Sequence, residues 1–200
     1  MDFIVALASP EESLVNALTK ADLVLQRLGG RPGGTIGRDD VEGLAGRDVE
    51  DDEVPAQGGI ISVRGLISDW RDATIEYHFP DFTAYLQIIL WQAGCLNTLL
   101  HVDWRQIERM QKDRMVRGYH QALAALGTAL NARGGLGDVE LPLELIKPEM
   151  IPDLIFDRAA PLGLVAMAQI SLHDLRQKAA SHGAYGIEPV SGFYVMTKYP

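Results

Sequence analysis

Near the middle of the chain, residues 82–100 (FTAYLQIILWQAGCLNTLL) run for nineteen positions without a charged side chain. On a helical wheel Phe82, Tyr85, Leu86, Ile88, Ile89, Ala93, Leu96, Leu99 and Leu100 fill one broad arc. Thr83, Gln87, Gly94, Asn97 and Thr98 gather on the other. The pattern predicts a central helix. Its length would reach across a bilayer, but Gln87, Gln92, Asn97 and two threonines interrupt it, and no Lys or Arg directly flanks it. A core helix is therefore the expectation. Gln92 falls inside the apolar arc, so its amide needs a buried partner.

Around this stretch the apolar positions outline further elements. Residues 3–8 are wholly apolar, the pattern of a strand covered on both faces. Ser9, Pro10 and Glu12 then read as an N-cap, a first helical proline and a capping box. They lead a helix with Leu14, Leu18, Ala21, Leu25 and Leu28 on one face, closed by Gly29 and Gly30. Residues 60–67 and 74–79 read as a strand pair, the second alternating Ile75, Tyr77 and Phe79 against Thr74, Glu76 and His78.

A second helix is expected from Trp104, with a break near Gly118, ending at Arg133, Gly134 and Gly135. Prolines at 142, 148 and 152 allow at most a short helix there. Residues 163–170 read as an apolar strand, Ser171 and Asp174 as a cap opening a helix that closes at Gly183, and residues 193–199 as a half-buried strand. There is no internal repeat and no heptad array. The fold class expected is α+β, with mixed α/β as the variant: about five strands from the N- and C-terminal parts, packed with a central helical block at about 81–133. One domain spanning residues 1–200 is expected, as it would be if the first and last strands pair; the strand order is not legible.

Composition changes this picture at one place. Apolar content of 47% and charged content of 22% are ordinary for a globular chain, but the net charge of −9 is concentrated. Residues 29–59 hold nine glycines, two prolines and almost no apolar periodicity, and are expected to form a flexible acidic insertion. Within them Asp39, Asp40, Glu42, Asp48, Glu50, Asp51, Asp52 and Glu53 stand against Arg38 and Arg47, eight acids less two bases giving −6 of the total. The sign argues against nonspecific nucleic-acid binding and suits a basic partner. One cysteine, Cys95, excludes an internal disulfide and a Cys-rich zinc site. The first residues have no basic n-region, so a cytoplasmic protein, or one within a cytoplasmically assembled particle, is expected.

Candidate chemistry is sparse. Residues 29–37 (GGRPGGTIG) follow a helix rather than leading into one and lack the Lys-Ser/Thr pair of a phosphate loop. Glu76 with His78 and His101 with Asp103 are His/carboxylate pairs, but a continuous helix between them would hold them about 27 Å apart. Ser171, His173 and Asp174 read as capping rather than as a triad, and Cys95 as a buried, inert thiol. No metal site and no cofactor are expected.

Arg114 and His120 form an Arg-x5-His element that resembles the short Arg/His motif of helical ribonucleases of the HEPN type. The resemblance covers seven residues, and Met115 stands where that motif usually has a polar residue. It implies action on an RNA phosphate by that pair. The same segment places Arg105, Arg109 and Lys112 at i, i+4 and i+7, followed by Arg114 and Arg117. Pairs Glu108–Lys112 and Asp113–Arg117 are expected to lace this face.

With catalysis unsupported, the expectation is a non-catalytic protein–protein interaction or assembly subunit. It would be an acidic, partner-neutralising protein of immunity type, or a structural subunit of a homo-oligomeric, virion-type assembly. The partner is a protein or copies of the chain itself, with no membrane and no nucleic acid. Its partner-binding residues are the eight acids named above together with Arg105, Arg109 and Lys112. Two alternatives use other features: an RNA-binding or RNA-cleaving protein built on residues 104–120, and a small-molecule binder with a pocket beside Trp91 and Gln92, or one lined by Tyr185, Tyr194 and Tyr199.

Overall fold

A computed structural model of the chain describes residues 2–10, 12–38, 53–55, 59–91, 94–113, 115–139, 146–183 and 185–198. Eleven strands join in a single sheet. In chain order these are β1 (Asp2–Pro10), β2 (Arg31–Pro32), β3 (Thr35–Gly37), β4 (Glu53–Pro55), β5 (Asp72–His78), β6 (Thr83–Leu90), β7 (Cys95–Asp103), β8 (Gly134–Val139), β9 (Leu162–Ala166), β10 (Gly186–Val190) and β11 (Phe193–Thr197). The helices are α1 (Leu14–Arg27), α2 (Ile60–Val63), α3 (Trp104–Lys112), α4 (Val116–Ala129), α5 (Asp153–Asp157) and α6 (Leu172–Ala180), with a 3-10 turn at Pro148–Met150. The spatial order of strands is β10-β11-β9-β8-β1-β7-β6-β5-β3-β4, with β2 also on β5, and every ladder among the described residues is antiparallel.

This overturns the expected α+β arrangement of about five strands around a central helical block. The uncharged run at 82–100 is not a helix. It is the hairpin β6–β7, closed where the Trp91 carbonyl accepts from the Gly94 N–H at 3.2 Å and Gly94 takes φ 76°. The reason is two-sided burial. Leu86, Ile88, Leu96 and Leu100 face one hydrophobic cluster, whereas Ile89 and Leu99 face a second on the opposite side of the sheet. A strand apolar on both faces loses the period-2 signal and mimics a helical arc. β-branched Ile88, Ile89 and Thr98 fit the pleated surface.

β1 is the middle of the molecule rather than a partner of the last strand. It lies between β7 and β8, with Phe3, Val5 and Leu7 turned to one cluster and Ile4, Ala6 and Ala8 to the other. It also runs two residues beyond its apolar core, so Ser9 is a buried strand residue and not a cap. The cap of α1 is Ser13, whose Oγ accepts from the Asn16 N–H at 3.3 Å. Leu14, Leu18, Ala21 and Leu25 then bury the face that the periodicity marks.

Two further expectations fail for local reasons. Residues 60–63 form a helical turn, α2, that buries Ile60 and Val63, so the partner of β5 is β6. Gly134 and Gly135, read as a helix stop, open strand β8. A Cβ on Gly135 would run into the Ala6 carbonyl, and one on Gly137 would lie 2.8 Å from Val5 Cγ2. Glycine is the residue that lets β8 lie this close to β1.

Residues 29–38 are not part of a featureless loop, since β2 and β3 pair with β5 and Ile36 is fully buried. The expected flexible insertion otherwise falls mainly on residues 39–52, outside the described ones. α1, α3 and α4 cover one side of the sheet; α5 and α6 pack on the other, through Ile155, Phe156 and Leu175. On the side of α5 and α6, buried Asn97 of β7 fastens the segment at Ile146 to the sheet. Its Oδ1 accepts from Trp91 Nε1 and from the Ile146 N–H, both at 3.1 Å, and its Nδ2 donates to the Ile146 carbonyl at 2.9 Å. No helix among the described residues is long and apolar enough to cross a membrane.

Candidate functional site

The chemistry gathers where α3 meets α4. Asp103 caps α3, its Oδ1 accepting from the Arg105 N–H at 2.7 Å, and Ile107 and Met110 bury the inner face. Arg105, Arg109 and Lys112 are left on the exposed side. Glu108 does not pair with Lys112 as expected; it accepts from Trp104 Nε1 at 2.8 Å instead. The Asp113–Arg117 pair is also not formed. Arg105, Arg109, Lys112 and Arg117 make no ion pair among the described residues. Arg109 and Lys112 lie in the last turn of α3, where cations oppose the negative end of the helix dipole.

α4 starts on the opposite terms. Met115 at its cap position supplies no side-chain hydrogen bond, its first turn holds no acid, and Arg117 is its second residue. A cation at the positive end of a helix is unfavourable unless an anion compensates it. Beside this start lies a cavity of about 490 Å³ lined by Gln111, Val116, Arg117, His120, Glu188 and Thr197, with neighbours on β10.

His120 is 4% exposed, and its Nδ1 lies 2.8 Å from Glu188 Oε1 on β10. An ionised carboxylate only accepts, so Nδ1 carries the proton and the ring is held in one orientation. His120 Nε2 and Gln111 Nε2 are buried without a hydrogen-bond partner. A buried polar atom without a partner costs about 1–3 kcal/mol, and both of these belong to residues that line the cavity.

Sequence reading singled out His120 together with Arg114. Arg114 lies outside the described residues, and the group on the imidazole is Glu188, sixty-eight positions along the chain. Nothing in the sequence joins the two. Gln111 carries a weak signal, being the polar residue next to buried Met110 on the inner half of α3.

Of the eight acids expected to bind the partner, Glu53 alone is among the described residues. Asp39, Asp40, Glu42, Asp48, Glu50, Asp51 and Asp52 lie outside the described residues. Glu53 is exposed on β4, the last strand at one side of the sheet. β7, which leads into α3, lies four strands in from β4, roughly 19 Å at ordinary strand spacing. Glu53 and the basic face of α3 are therefore not brought together within one chain.

The metal argument changes with the hairpin. Glu76 faces Tyr85, which faces His101, so the two His/carboxylate pairs share a sheet face about 10 Å apart and not 27 Å. Glu76 Oε2 lies 3.4 Å from His78 Nε2, yet no three His, Cys, Asp or Glu among the described residues are grouped to hold a metal. Ser171 and Asp174 do cap α6: the Asp174 N–H donates to Ser171 Oγ at 3.1 Å. Cys95 is buried on a strand, β7. Trp91 is committed to Asn97, and Tyr185 donates to the Ala160 carbonyl at 3.2 Å. Gln92 and Tyr199 lie outside the described residues.

No protein-family model matches the chain. No curated protein matches its sequence. Among solved structures it is similar to the Pseudomonas aeruginosa T6SS protein PA0821, at 13% identity and a TM-score of 0.49, over 98% of this chain and 64% of that one. The chain thus spans less than two thirds of that protein's length, and a likeness of this size carries no function across.

Proposed function

We propose that this chain works by binding a protein, without catalysis, through opposed charged surfaces. The observation that carries this reading is the exposed stripe Arg105, Arg109 and Lys112 on α3, three cations with no ion pair among the described residues. Its complement is the acidic segment holding Asp39, Asp40, Glu42, Asp48, Glu50, Asp51, Asp52 and Glu53, −6 of the net −9 when counted over residues 38–53. Unpaired charge of one sign steers encounter with the opposite sign and fixes register more than it adds affinity. Two forms follow. In one, the acidic segment neutralises a basic partner, as an immunity-type protein would. In the other, the acidic segment of one copy meets α3 of the next in a homo-oligomer.

Deleting residues 38–53 and, separately, reversing Arg105, Arg109 and Lys112 to glutamate tests both. Native mass spectrometry of gently purified protein reads the outcome. Loss of a homomeric mass in both variants supports self-assembly. Loss of a heteromeric mass only on the deletion supports the neutralising form. Association that survives both changes overturns the reading, and RNA binding abolished by the charge reversal would replace it.

A further inference from the structure

We propose that the cavity between the end of α3, the start of α4 and strand β10 is a phosphoryl-binding site, independent of the protein-binding surface inferred above. Three observations converge on it. The first is the pair of buried atoms lacking partners, Gln111 Nε2 and His120 Nε2, on residues that line the same space. The second is the start of α4, with no side-chain cap, no first-turn acid and Arg117 as its second residue. The third is Glu188, which holds His120 by Nδ1, so that Nε2 is the nitrogen left without a partner on a ring that lines the cavity.

Each group asks for the same ligand. The amide NH2 of Gln111, the atom left without a partner, and the guanidinium of Arg117 only donate. The first N–H groups of a helix have no intrahelical acceptor and sit at the positive end of its dipole, which is why anions are found there. Val116 and Arg117, the first two residues of α4, both line the cavity. An oxyanion answers all of these.

His120 narrows the class. With Nδ1–H committed to Glu188, a neutral ring presents a bare Nε2 that needs a donor. A phosphoryl group supplies acceptor oxygens for the donors and, in its protonated fraction near neutral pH, an O–H for Nε2. A carboxylate at that pH offers acceptors only. If the ligand gives a second proton to Nε2, the ring becomes a further donor and keeps its Nδ1–H on Glu188. In either state the pair His120–Glu188 and the cation of Arg117 stay matched to a phosphate. The volume, about 490 Å³, admits a phosphorylated small molecule as well as free phosphate. The described residues hold no cluster that would recruit Nε2 as a metal ligand instead.

The experiment is a titration of the full chain with inorganic phosphate, a sugar phosphate and acetate at matched ionic strength. It is followed by the ring-nitrogen resonances of His120 and by calorimetry. Phosphate is expected to shift the His120 Nε2 resonance saturably, and acetate is not. Arg117→Gln, an exposed substitution that should raise rather than lower the unliganded melting temperature, should weaken phosphate about tenfold. Gln111→Leu should weaken it in the same direction. Tighter binding of the sugar phosphate assigns the site to an ester, and equal binding assigns it to free phosphate. An unmoved His120 resonance, or the same response to acetate, overturns the proposal. Loss of partner binding in the charge-reversal variants would leave it untouched.

Discussion

Tyr77 is fully buried on β5, and its hydroxyl reaches α1, where it donates to half-buried Asp22 Oδ1 at 2.8 Å. Burial, and then the charge of Asp22 beside it, push the ionisation of this phenol far above its ordinary value. In an unfolded chain a tyrosine loses its proton near pH 10. Above that pH the unfolded state sheds the proton and the folded state does not, so the contribution of Tyr77 is complete below about pH 10 and declines as pH rises beyond it. Tyr77→Phe should cost roughly 1–2 kcal/mol at neutral pH, the worth of a hydrogen bond to a charged group. It should also flatten the loss of stability between about pH 10 and 12. Urea unfolding across that range checks both, and an unchanged alkaline slope in the variant would show that Tyr77 does not set it. At this scale the sequence was partly legible. The inward alternation of Ile75 and Tyr77 is written in β5, whereas Asp22 and Glu188 reach their partners across the fold and leave no local pattern.

Within the elements, helix α4 holds a paired test of packing against propensity. Gly127 and Gly118 both lie in it, and replacing an exposed helical glycine by alanine ordinarily stabilises by up to about 1 kcal/mol. Gly118 has nothing within 4 Å of a new Cβ and should follow that rule. A Cβ on Gly127 would lie 2.7 Å from Phe193 Cζ and 3.0 Å from its Cε2, and that ring is buried on β11. Gly127→Ala should therefore destabilise by about 1–3 kcal/mol, the ordinary cost of overpacking. The same chemical change in one helix would take opposite signs, measured by chemical denaturation of each variant. Elements whose signal is local were readable: the Asp103 start of α3, the Ser171 cap of α6 and the apolar stripe of α1. Those whose character depends on what covers them were not. β6 and β7 are apolar on both faces because clusters lie on both sides. The glycines of β8 look like punctuation until β1 and β9 are seen pressed against them.

For the whole molecule the question is where a second protein could attach. An open sheet invites edge-to-edge pairing, yet both ends here are blunted. β4 is three residues long and ends in Pro55, and β10 carries Pro189, which has no N–H to offer. Association through the edges would rest on backbone hydrogen bonds and apolar contact, and salt would barely touch it. Association through the cations of α3 and the acids of residues 38–53 would be screened, because the Debye length falls from about 10 Å at 0.1 M salt to about 3 Å at 1 M. Sedimentation velocity at those two ionic strengths separates the cases. The charged-surface reading expects complexes present at the lower salt to dissociate at the higher, with the loss arising mainly from slower encounter. Complexes that persist unchanged would point to the sheet edges or to an apolar surface and remove α3 from the interface. Because Glu53 and α3 lie on separate parts of the chain, screening should also leave the stability of the lone chain nearly unaltered, so that dissociation without unfolding is the expected result.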